Sequence, residues 1–331
     1  MAGTVANNLT GPGSDSGAFF VLVLSAGRAC GIFASERYLS MKADTFKLAR
    51  DITRGKWLVA YPDSLIPIAR AFLSKMPVEM EANSPVPYYE IQGEKFGRGS
   101  GNVSGQAPMD QNDKLVAIVP IHGTMTKYNN CGAFGTLVWA NAIKNAADKD
   151  EVVGIVLDID SGGGSSSAVP PLLEAIAYAR SKGKPIYAHA DMCGSAAFWV
   201  ASQCDAIYLD NEMSEIGSVG CYYVMQDTSA PDPQTGIREI TVYSRKSSDK
   251  NLSYRKALEG DLGPAMDELD ELATRFQEAV IAGRPHLKKD ADGVLTGAMF
   301  PASKAIANGM ADAVRTLDET IEVVFALAEI D

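Results

Sequence analysis

Between residues 42 and 75 apolar positions recur at helical spacing, Leu65, Ile68, Ala71 and Phe72 among them, in two pieces around Tyr61-Pro62-Asp63. WLVA just before that turn reads as strand-like. From Glu81 to Asp113 large apolar residues thin out and Gly, Ser, Pro, Asn and Gln take over, the composition of a flexible linker. After Lys114 the pattern changes again. LVAIVPIHG (115–123) and VVGIVLDID (152–160) are too apolar for strands with one wet face, so both are predicted to be covered on two sides. PIYAHA (185–190) and AIYLD (206–210) are two further strand candidates. AFGTLVWANAIKNAADKD, AVPPLLEAIAYARSKGK and CGSAAFWVASQCD lie between them with helical periodicity. Strand and helix in alternation predict an α/β fold with a mostly parallel sheet flanked by helices. Residues 262–283 form the clearest helix, with Leu262, Met266, Leu269, Leu272, Phe276 and Val280 on one face, a stripe suited to internal packing or a subunit contact.

The division that follows is a poorly structured or mis-annotated start over 1–40, a helical N-terminal extension over 41–80, a linker over 81–113 and one large domain over 114–331. Met41 is a plausible alternative start. Residues 18–34 are apolar, but they are short for a bilayer span, contain Arg28 and follow a stretch without positive charge, so no anchor or signal is expected. A net charge of -11 without any Lys/Arg run argues against nucleic acid as a partner. Five cysteines, at 30, 131, 193, 204 and 221, show neither zinc spacing nor a disulfide framework, which fits a reducing, cytoplasmic setting.

Two segments carry candidate chemistry. Asp160-Ser161-Gly162-Gly163-Gly164-Ser165 follows a predicted buried strand; its three glycines permit a sharp turn and leave N–H groups uncovered, as an oxyanion or phosphate site needs. It is not a Walker loop, for no Gly-Lys-Ser/Thr follows, and it lacks dinucleotide spacing. Ser195 opens an apolar helix, so it is either an N-cap or a nucleophile whose neighbour Ala196 presents an amide to a developing oxyanion. Asp158 and Asp160 alternate at a strand end, and no His/Cys/carboxylate cluster has ligand spacing, so no metal and no cofactor are called for. Cys193 has apolar neighbours and reads as a packed thiol.

In order and spacing, DSGGGS (160–165), SAAFWVAS (195–202), CDAIYLD (204–210), GSVG (217–220) and DGVLTGAMFPASKAIANGMADAV (292–314) resemble the signal peptide peptidase A family of serine peptidases. That family includes capsid-maturation proteases of phages and prophages. The similarity covers roughly residues 115–315 and departs at Gly162, where proline is usual, and at Ala196-Ala197, where Gly-Gly is common. It implies a Clp/crotonase-like fold, Ser195 as nucleophile, and Gly163, Gly164 and Ala196 as oxyanion or substrate-strand contacts. A free serine needs a base. Of His122, His189 and His286, none falls about two dozen residues beyond Ser195, where a Clp-like triad would place it, so lysine is the expected base. VYSRKSSDKNLS (242–253) offers Lys250, whose context resembles phage-type members, and Lys246 as second choice. The resemblance further implies a polypeptide substrate, a capsid or scaffold protein or else signal peptides, and a homo-oligomer whose sites are shared between subunits. Competing readings are a membrane-associated signal peptide peptidase, a crotonase-like acyl-CoA enzyme that makes no use of Ser195, and an inactive assembly subunit.

Overall fold

The structure, a computed structural model, describes residues 114–129, 134–225, 227, 230, 231, 236 and 240–328, together with two upstream strands, β1 (Trp57–Val59) and β2 (Glu90–Gly93). The order continues β3 (Leu115–His122), α1 (Thr136–Ala147), β4 (Val152–Ser161), β5 (Gly163–Ser165), α2 (Val169–Ser181), β6 (Ile186–Gly194), α3 (Ala196–Ala201) and β7 (Ala206–Leu209). Then come β8 (Glu215–Gly217), α4 (Leu252–Leu258), α5 (Gly263–Gly283), β9 (Met299–Pro301), α6 (Ala302–Ala307), β10 (Ala313–Val314) and α7 (Leu317–Ala328).

The main sheet runs β10-β7-β6-β4-β3-β2, with β8 pairing the far end of β6 and β9 pairing β8. β3, β4, β6, β7 and β10 run parallel to one another, while β2 pairs antiparallel with β3 and β9 with β8. β3 and β4 are the two apolar runs expected to be covered on both faces, and their alternation shows how. Ala117, Val119, Ile121, Ile155, Leu157 and Ile159 join the large core with α1 and α2, whereas Val116, Ile118 and Val156 pack with Tyr187 against Ile321 and Val324 of α7. α7 sits close because Gly154 has no side chain; a Cβ there would lie 2.3 Å from a Val324 methyl. Burying each such aliphatic side chain is worth about 1.5–3 kcal/mol, and truncating Ile155 to alanine at the sheet centre should cost about 2–5 kcal/mol. The expected α/β architecture, a mostly parallel sheet flanked by helices, is what the chain forms.

β1 and β2 fall inside the stretches expected to be a helical extension and a linker; the rest of residues 1–113 lies outside the described residues. β2, Glu-Ile-Gln-Gly, is short and polar because an antiparallel edge strand needs no apolar run on two faces. The segment 18–34 also lies outside. Among the described residues no helix is long and apolar enough to cross a membrane.

Candidate active site

β4 and β6 run side by side until Ser161 pairs with Cys193, so the two strands deliver their exits together: the glycine strand β5 from one, Ser195 from the other. α3 then packs against β5. Ser195 is 1% exposed and sits at φ 53, ψ -114, a backbone region that a side chain with a Cβ adopts only when its surroundings enforce it, at about 1–3 kcal/mol. It caps no amide of α3 with its side chain. Its carbonyl instead accepts from the Trp199 N–H at 2.9 Å, so the amides of Ala196 to Phe198 precede the first intrahelical bond.

The GSVG turn does the holding. Ser195 N–H donates to the Gly217 carbonyl at 2.8 Å, and Ser195 Oγ donates to the Gly220 carbonyl at 3.4 Å. Gly217 itself is at φ 139, and a Cβ on it would lie 2.3 Å from the Ala298 carbonyl oxygen. That contact, with β8 paired to β9, shows why the C-terminal motif matters: it braces the turn that positions the serine. On the other side, Trp199 stacks on Phe276 of α5 with ring centres 4.7 Å apart. The role of GSVG as a clamp is not legible from sequence, where the motif serves only as a family marker.

The glycine turn is directional. Gly163, at φ 100, donates its N–H to Ser161 Oγ at 3.1 Å and accepts from the Met125 N–H at 2.9 Å. Ser165 N–H donates to the Met125 carbonyl at 2.9 Å. A Cβ on Gly164 would lie 1.9 Å from that carbonyl oxygen, so only glycine lets the Met125 backbone approach. The other edge of β5 is paired antiparallel with β1.

Neither lysine meets the serine within one chain. Lys246 and Lys250 are exposed in the turn before α4, and Lys250 is held through its backbone: its N–H donates to the Ser247 carbonyl at 3.3 Å and its own carbonyl accepts from Arg255. The residues beside them, Ser244 to Asn251, are polar, and exposed apolar side chains occur before and after this stretch of the chain. Val224, Ile240 and Val242 are 74%, 77% and 86% exposed, and Leu262 and Met266 are 55% and 57% exposed. A groove of about 400 Å³ runs there between Tyr223, Met225, Tyr254, Leu258 and Leu269.

The histidines form something else. In β6, the buried His189 places Nδ1 3.0 Å from Asp158 Oδ1 and Nε2 3.2 Å from Asp210 Oδ1, while His122 Nε2 lies 3.1 Å from Asp158 Oδ2. Burial pushes Asp158 up, but the hydrogen bonds from the two histidines outweigh it and hold the carboxyl well below the usual carboxylate range. The hydrogen bond to Asp158 raises His122, against partial burial. No sequence signal joins these residues, because Asp158 and His189 meet only through the register of β4 with β6. Among the described residues no group of three or more His, Cys, Asp or Glu side chains is arranged to hold a metal. Cys193 is fully buried beside the serine loop, and burial pushes its thiol up, as suits an inert packed group.

Residues 178–331 match the family described as Peptidase family S49. Protease 4 of Haemophilus influenzae is 26% identical over 213 residues, covering 62% of this chain and 34% of that protein. Head-tail preconnector protein GP5 of Enterobacteria phage P21 is 26% identical over 214 residues, covering 63% of this chain and 42% of that protein. The chain thus spans less than half the length of these curated relatives. Among solved structures, the 1510-N membrane-bound stomatin-specific protease is similar over 63% of this chain and 84% of its own, at 15% identity and a TM-score of 0.34.

Proposed function

We propose that the chain, whose residues 178–331 match Peptidase family S49, is a serine endopeptidase with Ser195 as nucleophile and Lys250 as general base. One observation carries the reading of Ser195: a buried serine, in a strained backbone conformation at a strand-to-helix junction, whose side chain caps nothing in the helix it opens. An ordinary N-cap serine would have relaxed, negative φ and would bond the helix amides.

In this mechanism the Ser195 hydroxyl leaves the Gly220 carbonyl and attacks the substrate carbonyl carbon as its proton passes to Lys250 Nζ. The Ala196 amide faces the oxyanion, and Gly163 and Gly164 shape and contact the substrate strand. The lysine returns its proton to the leaving amine, and water, activated by the same lysine, releases the acyl group. An ammonium in water is no base; withdrawal from water favours the neutral amine. The exposure of Lys250 therefore favours a site completed by a neighbouring copy of the chain, to which the exposed Leu262 and Met266 offer an apolar contact and which receives the lysine beside its own serine. No cofactor enters the chemistry. The substrate class we favour is a phage or prophage head protein, a capsid or scaffold polypeptide, by likeness to the head-tail preconnector protein; signal peptides are the second choice. The setting would be the cytoplasm of a bacterial host.

A serine-reactive fluorophosphonate tests the proposal. Labelling of the wild-type chain that disappears in Ser195→Ala and falls sharply in Lys250→Ala is expected; labelling that persists in Ser195→Ala overturns it.

A further inference from the structure

Strand β1 belongs to the chain's own N-terminal region, yet it pairs with neither β3 nor β4 but with the glycine strand beside Ser195. The register is Trp57 opposite Ser165, Leu58 opposite Gly164 and Val59 opposite Gly163. The direction of the backbone groups follows from what is already bonded. Met125 takes the Gly163 carbonyl and the Ser165 N–H from one edge. Along a strand these groups alternate in direction, so the N–H and carbonyl of Gly164 point to the opposite edge, where Leu58 is the partner. That edge is two residues past Ser161, the residue paired with Cys193, and so lies alongside the exit of β6 that carries Ser195. With no side chain on Gly162, Gly163 or Gly164, it is open to any extended polypeptide, because main-chain pairing makes no demand on sequence.

We infer that the outer edge of β5 is a strand-docking site that the chain's own Trp57–Val59 segment fills in cis, in competition with polypeptide substrate. The inference rests on the peptidase reading only for the identity of the competitor. The N-terminal region is then a built-in occupant of the substrate position, and activity requires its release, whether by proteolysis, by assembly or by a substrate strand presented at high local concentration. Because β1 pairs over only three residues, the occupant is displaceable. An intramolecular strand at millimolar effective concentration excludes weak ligands while yielding to dense ones.

The experiment uses the full chain carrying Ser195→Ala, alone and combined with Leu58→Pro or Val59→Pro, and a fluorescent peptide with the sequence of residues 52–64. Proline at 58 removes the one N–H directed at Gly164; proline at 59 removes an N–H directed away. Amide exchange at Gly164 should speed up at least about tenfold in Leu58→Pro and little in Val59→Pro. The peptide should bind the Leu58→Pro chain at least about tenfold more tightly and restore Gly164 protection. Titrating excess peptide into the chain without either proline should raise exchange at Trp57–Val59, an arm that needs no proline variant to fold. Equal exchange at Gly164 in all forms, with no displacement of Trp57–Val59, overturns the inference. Fluorophosphonate labelling of chains with Ser195 intact separates the two readings: no labelling of any form defeats the peptidase, whereas labelling with equal rates in wild type and Leu58→Pro defeats only the occupancy in cis.

Discussion

The two halves of the proposed dyad sit in opposite surroundings. Ser195 is buried, bonded through its N–H and hydroxyl to Gly217 and Gly220, and backed by a stacked Trp199 and Phe276. Lys250 is exposed on a polar turn held by its own backbone. The contrast even divides one helix: α5 buries Ala265, Phe276 and Val280 but leaves Met266, and its N-cap residue Leu262, in water. On the proposed reading, a framework that strains to fix one group and leaves its partner loose is completed by a second copy of the chain. The fold fixes the backbone and hydroxyl of Ser195, and on that reading the lysine side is fixed only by contact with the second copy.

The largest break is chemical. Ser195→Ala should lower peptide hydrolysis by at least about 10³-fold, and Lys250→Ala by a similar factor, with the folded state untouched in both; an assay on a casein-type or capsid-derived substrate together with circular dichroism reads this. If Lys246→Ala matches that loss while Lys250→Ala does not, the base is the other lysine. Next comes the framework itself. Phe276→Ala should cost about 3–5 kcal/mol in denaturant unfolding, since it empties a fully buried site against the nucleophile helix. At the other end of the same helix, the pair Leu262→Ser and Met266→Ser should change that stability by no more than about 0.5 kcal/mol, yet lower activity and shift sedimentation toward the monomer.

Gly217→Ala sharpens the comparison from the serine side. At φ 139 and 2.3 Å from the Ala298 carbonyl, a Cβ forces the turn away from Ser195, and about 1–3 kcal/mol of stability should go with much of the activity.

The smallest expected effect is on pH. The raised His122 contributes stability that is fully present below its unfolded value of 6.5 and is lost as pH rises through its higher folded value. The lowered Asp158 contributes stability present above its unfolded value of 3.8 and lost as pH falls through its folded value. Thermal stability should therefore be highest between these unfolded values, and His122→Ala should flatten the alkaline decline. His122 is about half exposed, so the change should stay under about 1 kcal/mol.

These regions were also unequally legible in the sequence. β3 and β4 announce themselves, because a strand covered on both faces must be apolar at every position. The helix expected over 262–283 is α5, Gly263–Gly283, although its stripe runs into solvent at Leu262 and Met266. β5, β8, β9 and β10 span two or three residues each and have no periodicity to detect. The positive φ of Ser195 is imposed by its Gly217 and Gly220 contacts, which join positions more than twenty residues apart. The alignment of His122, Asp158 and His189 exists only once β3, β4 and β6 are in register. The glycine motif and Ser195 are brought together by the pairing of β4 with β6, but which edge of β5 faces away from Met125 depends on a residue with no chemical signature at all.

The central claim, that a fixed serine and a loose lysine meet across chains, is tested most directly by mixing two inactive proteins. Purified Ser195→Ala and Lys250→Ala chains, combined at concentrations above assembly, should recover a substantial fraction of wild-type hydrolysis, with labelling confined to the chain that retains Ser195, and lose it on dilution. No recovery in mixtures shown by sedimentation to co-assemble, alongside full wild-type activity that persists on dilution to the monomer, would contradict it.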